Sequence, residues 1–411
     1  MLLDVAGADG ALMKLTGLLS RQTNGVGQEG RDDALVDPVT LELIRLSPLE
    51  SHSESTACVE LPDGRQTCLC LSWPTSHGYS ALFADLPGPG RYALAELAAS
   101  GLHQRQDQLV NTLRSAGKNT EPIQTLRSDT AQALTDCSHA ATPVERAILA
   151  NQALEAATAA QLALDEAVAG TGPDDAMLGV TFTAPPETET VVQAVSPLKE
   201  AGRNVVVRIV VNDTDDSEEL EGWRRCVAQL RAQGAKYMVQ VCDSQFLTDF
   251  SDTEWDRRLT VLRQTLPNAD AWEIGNELGG EWTGPDAVTR TLQAARALAT
   301  DPATAKSTRV LTLYYQLGQG TATESVMSWA ATNLNGELAE LTDVVGLSVY
   351  PQWHPLGAGA RGYSPHWAHS SGISARHSQS SVTALRTWMT ARGGLVPNQT
   401  PTRAAPRLHA I

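Results

Sequence analysis

The stretch Ala271-Trp272-Glu273-Ile274-Gly275-Asn276-Glu277 decides the fold of this chain. Its first five residues form a short, mostly apolar run, as a buried β-strand requires, and two polar residues, Asn276 and Glu277, follow directly. In parallel α/β barrels the functional groups lie at the carboxyl ends of the strands. The stretch therefore predicts one strand of a parallel sheet with a carboxylate at its functional edge.

Similar apolar runs lie on both sides of this stretch, separated by amphipathic segments of helical character. The six predicted strands are 178–183, 205–211, 237–242, 271–275, 310–315 and 344–350. Repeated strand-plus-helix units of this size predict an α/β fold, either a TIM (β/α)8 barrel or an open doubly wound sheet. No Gly-x-Gly-x-x-Gly motif follows any strand, which disfavours a dinucleotide-binding sheet.

The first 170 residues have a different pattern. Residues 1–95 predict a lead-in and a small β-rich accessory unit, and residues 96–170 predict a helical segment. Pro62-Asp63-Gly64, between the runs 56–61 and 66–71, indicates a β-hairpin, and Pro87-Gly88-Pro89-Gly90 indicates another turn. Thr142-Pro143-Val144-Glu145 indicates the start of a long helix, because it combines an N-cap threonine with a first-turn proline and a capping-box glutamate.

The composition disfavours several classes of partner. A formal net charge of -16 argues against nucleic acid. No run of 18 apolar residues occurs, so no membrane-spanning helix is expected. The N-terminus lacks the basic segment of a signal peptide, which predicts a cytoplasmic location, or secretion if the true start lies upstream. The six cysteines have no metal-binding spacing and are expected to pack in the core, so neither a metal nor another cofactor is predicted.

Other polar residues are predicted to share the functional edge with Glu277. Arg208 lies within the second strand, with Asp213 after it, and Asp243 follows the third strand. A carboxylic acid at such an edge can protonate a departing glycosidic oxygen when its pKa is raised by burial or by a second carboxylate. Asn276 can hydrogen-bond a sugar hydroxyl, and tryptophan side chains can offer flat apolar faces to sugar rings.

Two motifs resemble a known group of enzymes. Trp272-Glu273-Ile274-Gly275-Asn276-Glu277 resembles the strand 4 signature of the retaining clan A glycoside hydrolases, and Asp343-Val344-Val345-Gly346-Leu347-Ser348-Val349-Tyr350-Pro351 resembles their strand 6. With Trp353-His354 following, the second motif is most similar to the endo-β-1,4-galactanase type. Arg208 resembles an arginine that many of these enzymes carry on strand 2. The resemblance covers about 177–355 and is specific to the clan rather than to one family.

This resemblance implies a (β/α)8 barrel at 171–355 that acts on a β-linked polysaccharide or oligosaccharide by a retaining two-carboxylate mechanism. Glu277 would be the acid/base and Asn276 would contact the sugar 2-hydroxyl. Arg208 and Tyr350 would support the nucleophile. The candidate substrate-binding residues are Trp282, Trp353, His354 and Asp243.

The chain departs from this pattern after strand 6. The nucleophile of these enzymes is a glutamate at the end of strand 7, but none of the 47 acidic residues follows Asp343. The tail instead holds six arginines and five of the nine histidines. The histidine spacings match no closed zinc site. Strands 7 and 8 are therefore predicted to be missing, and residues 356–411 are predicted to be an aberrant, disordered tail.

A frameshift accounts for this tail, with natural disorder as the alternative. In the shifted frame, each new codon consists of the third base of one codon and the first two bases of the next. Read in this way, residues 376–392 permit a sequence that contains Ala-Leu-Thr-Glu-Leu-Gly, an apolar strand ending in Thr-Glu. The missing glutamate would span the codons of Gln379 and Ser380, and the shift would lie near 356–361. A chain without this glutamate is predicted to be inactive.

Two other readings of the motifs remain open. The first is a non-catalytic carbohydrate-binding pseudoenzyme, in which Asn276, Trp282 and Trp353 keep their use. The second is a metal-dependent barrel enzyme, because Asp213, Asp243 and Glu277 at successive strand ends are ligands of the type that Mg²⁺ prefers. Asp213 and Asp243 are also the candidates for a substitute second carboxylate.

Overall fold

The computed structural model describes residues 1–7, 9–11, 21–22, 29–30, 33–46, 48–76, 78–169, 177–316, 322–349, 389–391 and 409–410. These residues belong to two compact units. The first is drawn from Met1–Gly172 and Gln316–Ala331, and the second from Pro173–Tyr315, Thr332–Tyr350 and Ile373–Ile411. Among the described residues, no helix is long and apolar enough to cross a membrane.

The first unit contains short strands followed by three long helices. The strands are β1 (Leu2–Asp4), β2 (Arg21–Gln22), β3 (Glu29–Gly30), β4 (Ala34–Val36), β5 (Leu43–Leu46), β6 (Leu49–Ser51), β7 (Thr56–Val59), β8 (Thr67–Thr75), β9 (Gly78–Leu86) and β10 (Arg91–Ala93). The helices are α1 (Leu94–Ser115), α2 (Glu121–His139) and α3 (Pro143–Ala169). Two four-stranded sheets have the orders β10-β1-β7-β6 and β5-β4-β8-β9, and β2 pairs with β3.

The predicted hairpin across Pro62-Asp63-Gly64 is wrong, because β7 and β8 belong to different sheets. β7 pairs with β1 and β6, whereas β8 pairs with β9 along its whole length, from Thr67 opposite Leu86 to Thr75 opposite Gly78. Gly64 does adopt the left-handed conformation of a turn, with φ of 64°. A turn signal reports a local change of direction, but the partner of each strand depends on long-range packing.

The largest hydrophobic core of this unit joins its strands to its helices. It includes Leu3 of β1, Trp73 of β8, Ala98 of α1 and Leu154 of α3. The predicted start of α3 is confirmed, because the Glu145 amide donates to Thr142 Oγ1 at 3.1 Å and the Ala141 amide donates to Glu145 Oε2 at 2.8 Å. The first bond satisfies an amide that a helix N-terminus leaves without an intrahelical partner, and the second holds the residue before the cap against the first turn.

The second unit is a parallel half-barrel sheet with helical connections. Its six parallel strands are β11 (Met177–Phe182), β12 (Asn204–Val210), β13 (Lys236–Gln240), β14 (Ala271–Leu278), β15 (Thr308–Tyr314) and β16 (Val344–Val349). The intervening helices are α4 (Thr188–Glu200), α5 (Ser217–Ala232), α6 (Asp252–Thr265), α7 (Ala287–Thr300), α8 (Val326–Asn333) and α9 (Gly336–Glu340), of which α8 belongs to the first unit as far as Ala331. All six strands predicted from the sequence are therefore present.

Each of the six strands contributes one apolar side chain to a common layer. Val206, Met238, Ala271 and Val310 are buried in it, and Met177 and Val344 pack against them. These residues lie near the amino ends of their strands. The layer therefore fills the sheet face below the carboxyl ends, where the polar residues gather.

Two short strands extend the sheet at its two edges. β17 (Met389–Ala391) pairs in parallel with β16, and β18 (His409–Ala410) pairs antiparallel with β11. No strand is predicted there from the sequence, and an antiparallel β18 differs from the all-parallel order of a (β/α)8 barrel. The proposed Thr-Glu position at Gln379 and Ser380 lies outside the described residues, as does most of the predicted disordered tail.

A buried arginine on α6 ties the carboxyl ends of two neighbouring strands together. Arg258 is 4% exposed and donates to the carbonyl oxygens of Val211 at 2.6 Å and Val241 at 2.8 Å. A longer bond of 3.4 Å reaches the Asn212 carbonyl. Burial lowers the pKa of this guanidinium. Arg258 thus holds the segments that lead from β12 and β13 into the loops of the functional edge.

Replacing this arginine is expected to destabilise the second unit. Arg258→Met should lower the free energy of unfolding by about 2–4 kcal/mol, because it leaves buried carbonyl oxygens without donors. Urea denaturation followed by tryptophan fluorescence measures the loss. The matched control is Arg257→Met on the same helix, where the side chain is 63% exposed. Equal stability of the two variants would contradict the role assigned to Arg258.

The cysteines serve packing rather than redox chemistry. All six are free thiols, and all except the half-buried Cys58 are buried. Burial raises the pKa of Cys137 to about 11 and those of Cys226 and Cys242 to about 12. Because the thiolate is the reactive form, these thiols are inert at neutral pH.

Alkylation of the folded chain tests this assignment. At pH 8, iodoacetamide should modify Cys58 well before Cys137, Cys226 and Cys242, which should react only after denaturation. Peptide mass spectrometry before and after adding guanidinium measures the difference. Rapid labelling of Cys242 in the folded chain would show that the end of β13 opens to solvent.

Candidate functional site

The site is built at the carboxyl ends of β12 to β16, and its first member is Glu277. This half-buried residue adopts a left-handed backbone with φ of 48°, an uncommon conformation for a residue other than glycine. The strand is irregular here, because its register against β15 shifts on both sides of Gly275. A β-carbon on Gly275 would lie 2.7 Å from Leu278 Cδ1, so a larger residue here would force the Leu278 side chain to move. Strained backbone of this kind clusters at functional sites.

The Glu277 carboxylate is positioned by β16, which is separated from β14 by β15 in the sheet. Ser348, which is 6% exposed, donates from Oγ to Glu277 Oε1 at 2.5 Å. A short bond to a buried hydroxyl fixes the direction of this carboxylate. Sequence reasoning selected Glu277 but missed Ser348.

Below Glu277, Arg208 and Glu273 form a buried ion pair. Arg208 Nε and Nη2 both approach Glu273 Oε2, at 2.7 and 2.6 Å. The Glu273 side chain is 2% exposed, and that of Arg208 is 16% exposed. The other oxygen, Glu273 Oε1, accepts from Thr312 Oγ1 at 2.8 Å and from Asn276 Nδ2 at 3.3 Å. With both oxygens engaged and shielded from solvent, Glu273 cannot attack a substrate.

Arg208 is the positive centre of this group of carboxylates. Burial lowers the pKa of its guanidinium, but the charge and hydrogen bonds of Glu273 and the charges of Glu277 and Asp243 outweigh burial and raise the pKa. Arg208 therefore stays cationic at every pH that the folded chain tolerates. The resemblance assigned Arg208 to a nucleophile, and its partner in this structure is Glu273.

A chain of hydrogen bonds leads from Glu273 to the edge of the sheet. Asn276, which is 6% exposed, donates to Glu273 and accepts at Oδ1 from the amide and hydroxyl of Ser244, at 3.4 and 3.5 Å. The Trp282 indole then donates to Ser244 Oγ at 2.8 Å. These bonds fix which side-chain atom of Asn276 is the oxygen and which is the nitrogen. The ring of Trp282 belongs to the same hydrogen-bond network.

Trp282 is also held by an aromatic neighbour. Its ring meets that of Tyr314, at the end of β15, edge to face with centroids 4.8 Å apart. Because Trp282 is half-buried and Tyr314 is 7% exposed, the tryptophan is the outer ring of the pair. A half-exposed ring fixed from two sides is a preorganised surface for a flat apolar ligand.

The metal-dependent alternative needs Asp213, Asp243 and Glu277 to converge on one ion. Among the described residues, no cluster of three or more histidine, cysteine or acidic side chains has the geometry of a metal site. Asp213 Oδ1 accepts from the Asp215 amide in an exposed loop, and Asp243 Oδ1 caps the turn that follows β13. This arrangement gives no support to a site that uses Asp213, Asp243 and Glu277 on Mg²⁺.

Three residues selected from the sequence lie outside the described part of the chain. They are Tyr350, Trp353 and His354, so their predicted roles remain predictions. Glu273, Thr312, Ser244 and Ser348 were missed. Glu273 could have been predicted as the partner of Arg208. Both are charged residues inside apolar strands, and buried charges require partners.

Comparisons with known proteins give only distant similarity. No family model and no curated protein matches the sequence. Among solved structures, the chain is similar to a fungal β-1,4-galactanase with 17% identity and a TM-score of 0.31, over 42% of this chain and 58% of that one. It is also similar to a muconate lactonizing enzyme from Pseudomonas fluorescens, with 13% identity and a TM-score of 0.32, over 83% of this chain and 77% of that one. The aligned part thus spans under two thirds of the galactanase.

Breaking the buried ion pair should unfold the second unit more readily. Glu273→Leu leaves the Arg208 charge buried without a counterion and should lower the free energy of unfolding by about 3–5 kcal/mol. Chemical denaturation measures the loss. The double variant Arg208→Met with Glu273→Leu removes both charges and should recover most of the stability. A double variant less stable than the single one would contradict this account of the pair.

Proposed function

We propose that this chain is a glycoside hydrolase-like protein that binds a β-linked polysaccharide or oligosaccharide at the carboxyl ends of its strands, on an incomplete (β/α)8 barrel. The observation that carries the proposal is the placement of Glu277. It lies half-buried at the end of β14, with its carboxylate fixed by Ser348 and the amide of Asn276 fixed beside it. A carboxyl group so held can meet a glycosidic oxygen.

The proposed chemistry is proton transfer to the leaving group. Protonated Glu277 would donate to the glycosidic oxygen as its bond to the anomeric carbon breaks. Retaining hydrolysis also needs a nucleophilic carboxylate about 5–5.5 Å from the acid. Glu273 is excluded from that role by its burial and its partners, and no acidic residue follows Asp343. As written, the chain is therefore proposed to bind sugar without ordinary turnover.

The roles of the other selected residues follow from this proposal. Asn276 would approach the sugar 2-hydroxyl with the free proton of its amide nitrogen, since the other is directed to Glu273. The Trp282 ring would pack against the apolar face of a sugar ring. Trp353 and His354 would contribute further contacts, Tyr350 would assist the nucleophile of a restored strand 7, and Asp243 would add a polar contact near Arg208.

A natural pseudoenzyme is the second candidate function. It is favoured by the Arg208–Glu273 pair. Glu273 balances the charge of Arg208, so the arginine does not need a nucleophilic carboxylate as its counterion. A stable site of this kind can keep its sugar-binding surface after catalysis is lost. The DNA sequence distinguishes the two candidates. A frameshifted gene still encodes strand 7 in another reading frame, whereas the gene of a natural pseudoenzyme does not.

Restoring the reading frame tests the catalytic proposal. A chain in which one inserted or deleted base near codons 356–361 yields Thr-Glu-Leu-Gly should release reducing sugar from β-galactan, mannan or xylan, whereas the chain as written should not. Glu277→Gln in the restored chain should reduce turnover by about 10²–10⁴-fold, because general acid catalysis is lost. Ordinary turnover by the chain as written would contradict the proposal.

A further inference from the structure

A single turn connects the site to an exposed aromatic ring. Residues Ser244–Asp249 form a 3-10 turn that begins four residues after the end of β13, at the same sheet edge as Glu277 on the adjacent parallel strand β14. Phe246 of this turn is 52% exposed. Among the described residues, the large exposed hydrophobic side chains are Val39, Val144, Leu178, Val192 and Phe246, of which only the last is aromatic.

The turn is fixed to the site from inside. Its first residue, Ser244, is 1% exposed and bonds both Asn276 and Trp282. Leu247 is 4% exposed and anchors the turn in the core. Asp243 caps the start of the turn by accepting from the Gln245 amide at 3.0 Å. The turn thus buries Ser244 and Leu247 and exposes Phe246 between them.

The neighbouring loop reinforces this position. Gly284 has φ of 72°, and a β-carbon on it would lie 2.3 Å from Thr248 Cγ2. The turn Ser244–Asp249 and the segment that carries Trp282 are therefore packed closely, through Thr248 and Gly284 as well as through Ser244. An exposed ring on such a support loses little freedom when it binds a ligand.

From these observations we infer that Phe246 forms a second sugar-binding position, outside the one at Glu277 and Trp282, and that the chain takes an oligosaccharide rather than a single sugar. The apolar face of a pyranose would pack on the Phe246 ring and remove both surfaces from water. The inference rests on the proposed sugar-binding function. It adds a residue that the sequence motifs did not select.

Calorimetric titration of the full chain tests the inference. The probes are the tetrasaccharides of β-1,4-galactan, mannan and xylan, with the matching monosaccharides. Phe246→Ala should weaken binding of the recognised tetrasaccharide by about 3- to 10-fold and leave binding of its monosaccharide unchanged. Phe246→Trp should retain tetrasaccharide affinity, because it keeps a flat ring, and Phe246→Leu should not.

The controls separate this inference from the proposed function. Val192→Ala removes a side chain that is 42% exposed on α4 and should leave both affinities unchanged. Wild-type affinity in Phe246→Ala, or in Phe246→Leu, would overturn the inference and leave the proposed function standing. Equal loss for monosaccharide and tetrasaccharide, with a lower melting temperature, would overturn it as well. Failure of every probe to bind the wild-type chain would overturn the proposed function itself.

Discussion

The second unit depends on one buried ion pair, Arg208 with Glu273. It places a cation from β12 against a carboxylate from β14, above the apolar layer that includes Val206 and Ala271. Two charges removed from water are tolerable only when each has a close partner and further hydrogen bonds. Thr312 and Asn276 supply those bonds to the carboxylate, so the pair organises three strands and the residue next to Glu277.

The site inherits its geometry from this pair. Because Asn276 Nδ2 donates to Glu273, Asn276 Oδ1 is directed to Ser244 and accepts from it. Ser244 Oγ in turn accepts from the Trp282 indole. Glu277 is directed separately, by Ser348 from β16. Buried charge thus sets the orientation of the polar residues above it, and the left-handed backbone at Glu277 brings its side chain to the same edge. The same pair prevents Glu273 from acting as a nucleophile or an acid. The half-buried Glu277 is therefore the proposed acid.

The sequence predicted the six parallel strands well, because each is an apolar run between amphipathic segments, and the capped start of α3 followed from four residues. The hairpin at Pro62-Asp63-Gly64 failed, since the turn is local but the partners of β7 and β8 lie elsewhere in the chain. Glu277 was found from its place after a strand. Ser348 and Ser244 were not, because a serine gives no signal of its partner until register and loop geometry bring the two together.

The proposed function requires that Glu277 and Trp282 hold a β-linked sugar without a partner carboxylate. A crystal structure of the chain bound to the tetrasaccharide of highest affinity tests it most directly. We expect a pyranose against the Trp282 ring, a glycosidic oxygen within hydrogen-bond distance of the Glu277 carboxyl, and no second carboxylate on the opposite side of the anomeric carbon. A sugar bound elsewhere, or a second carboxylate about 5.5 Å from Glu277, would contradict it.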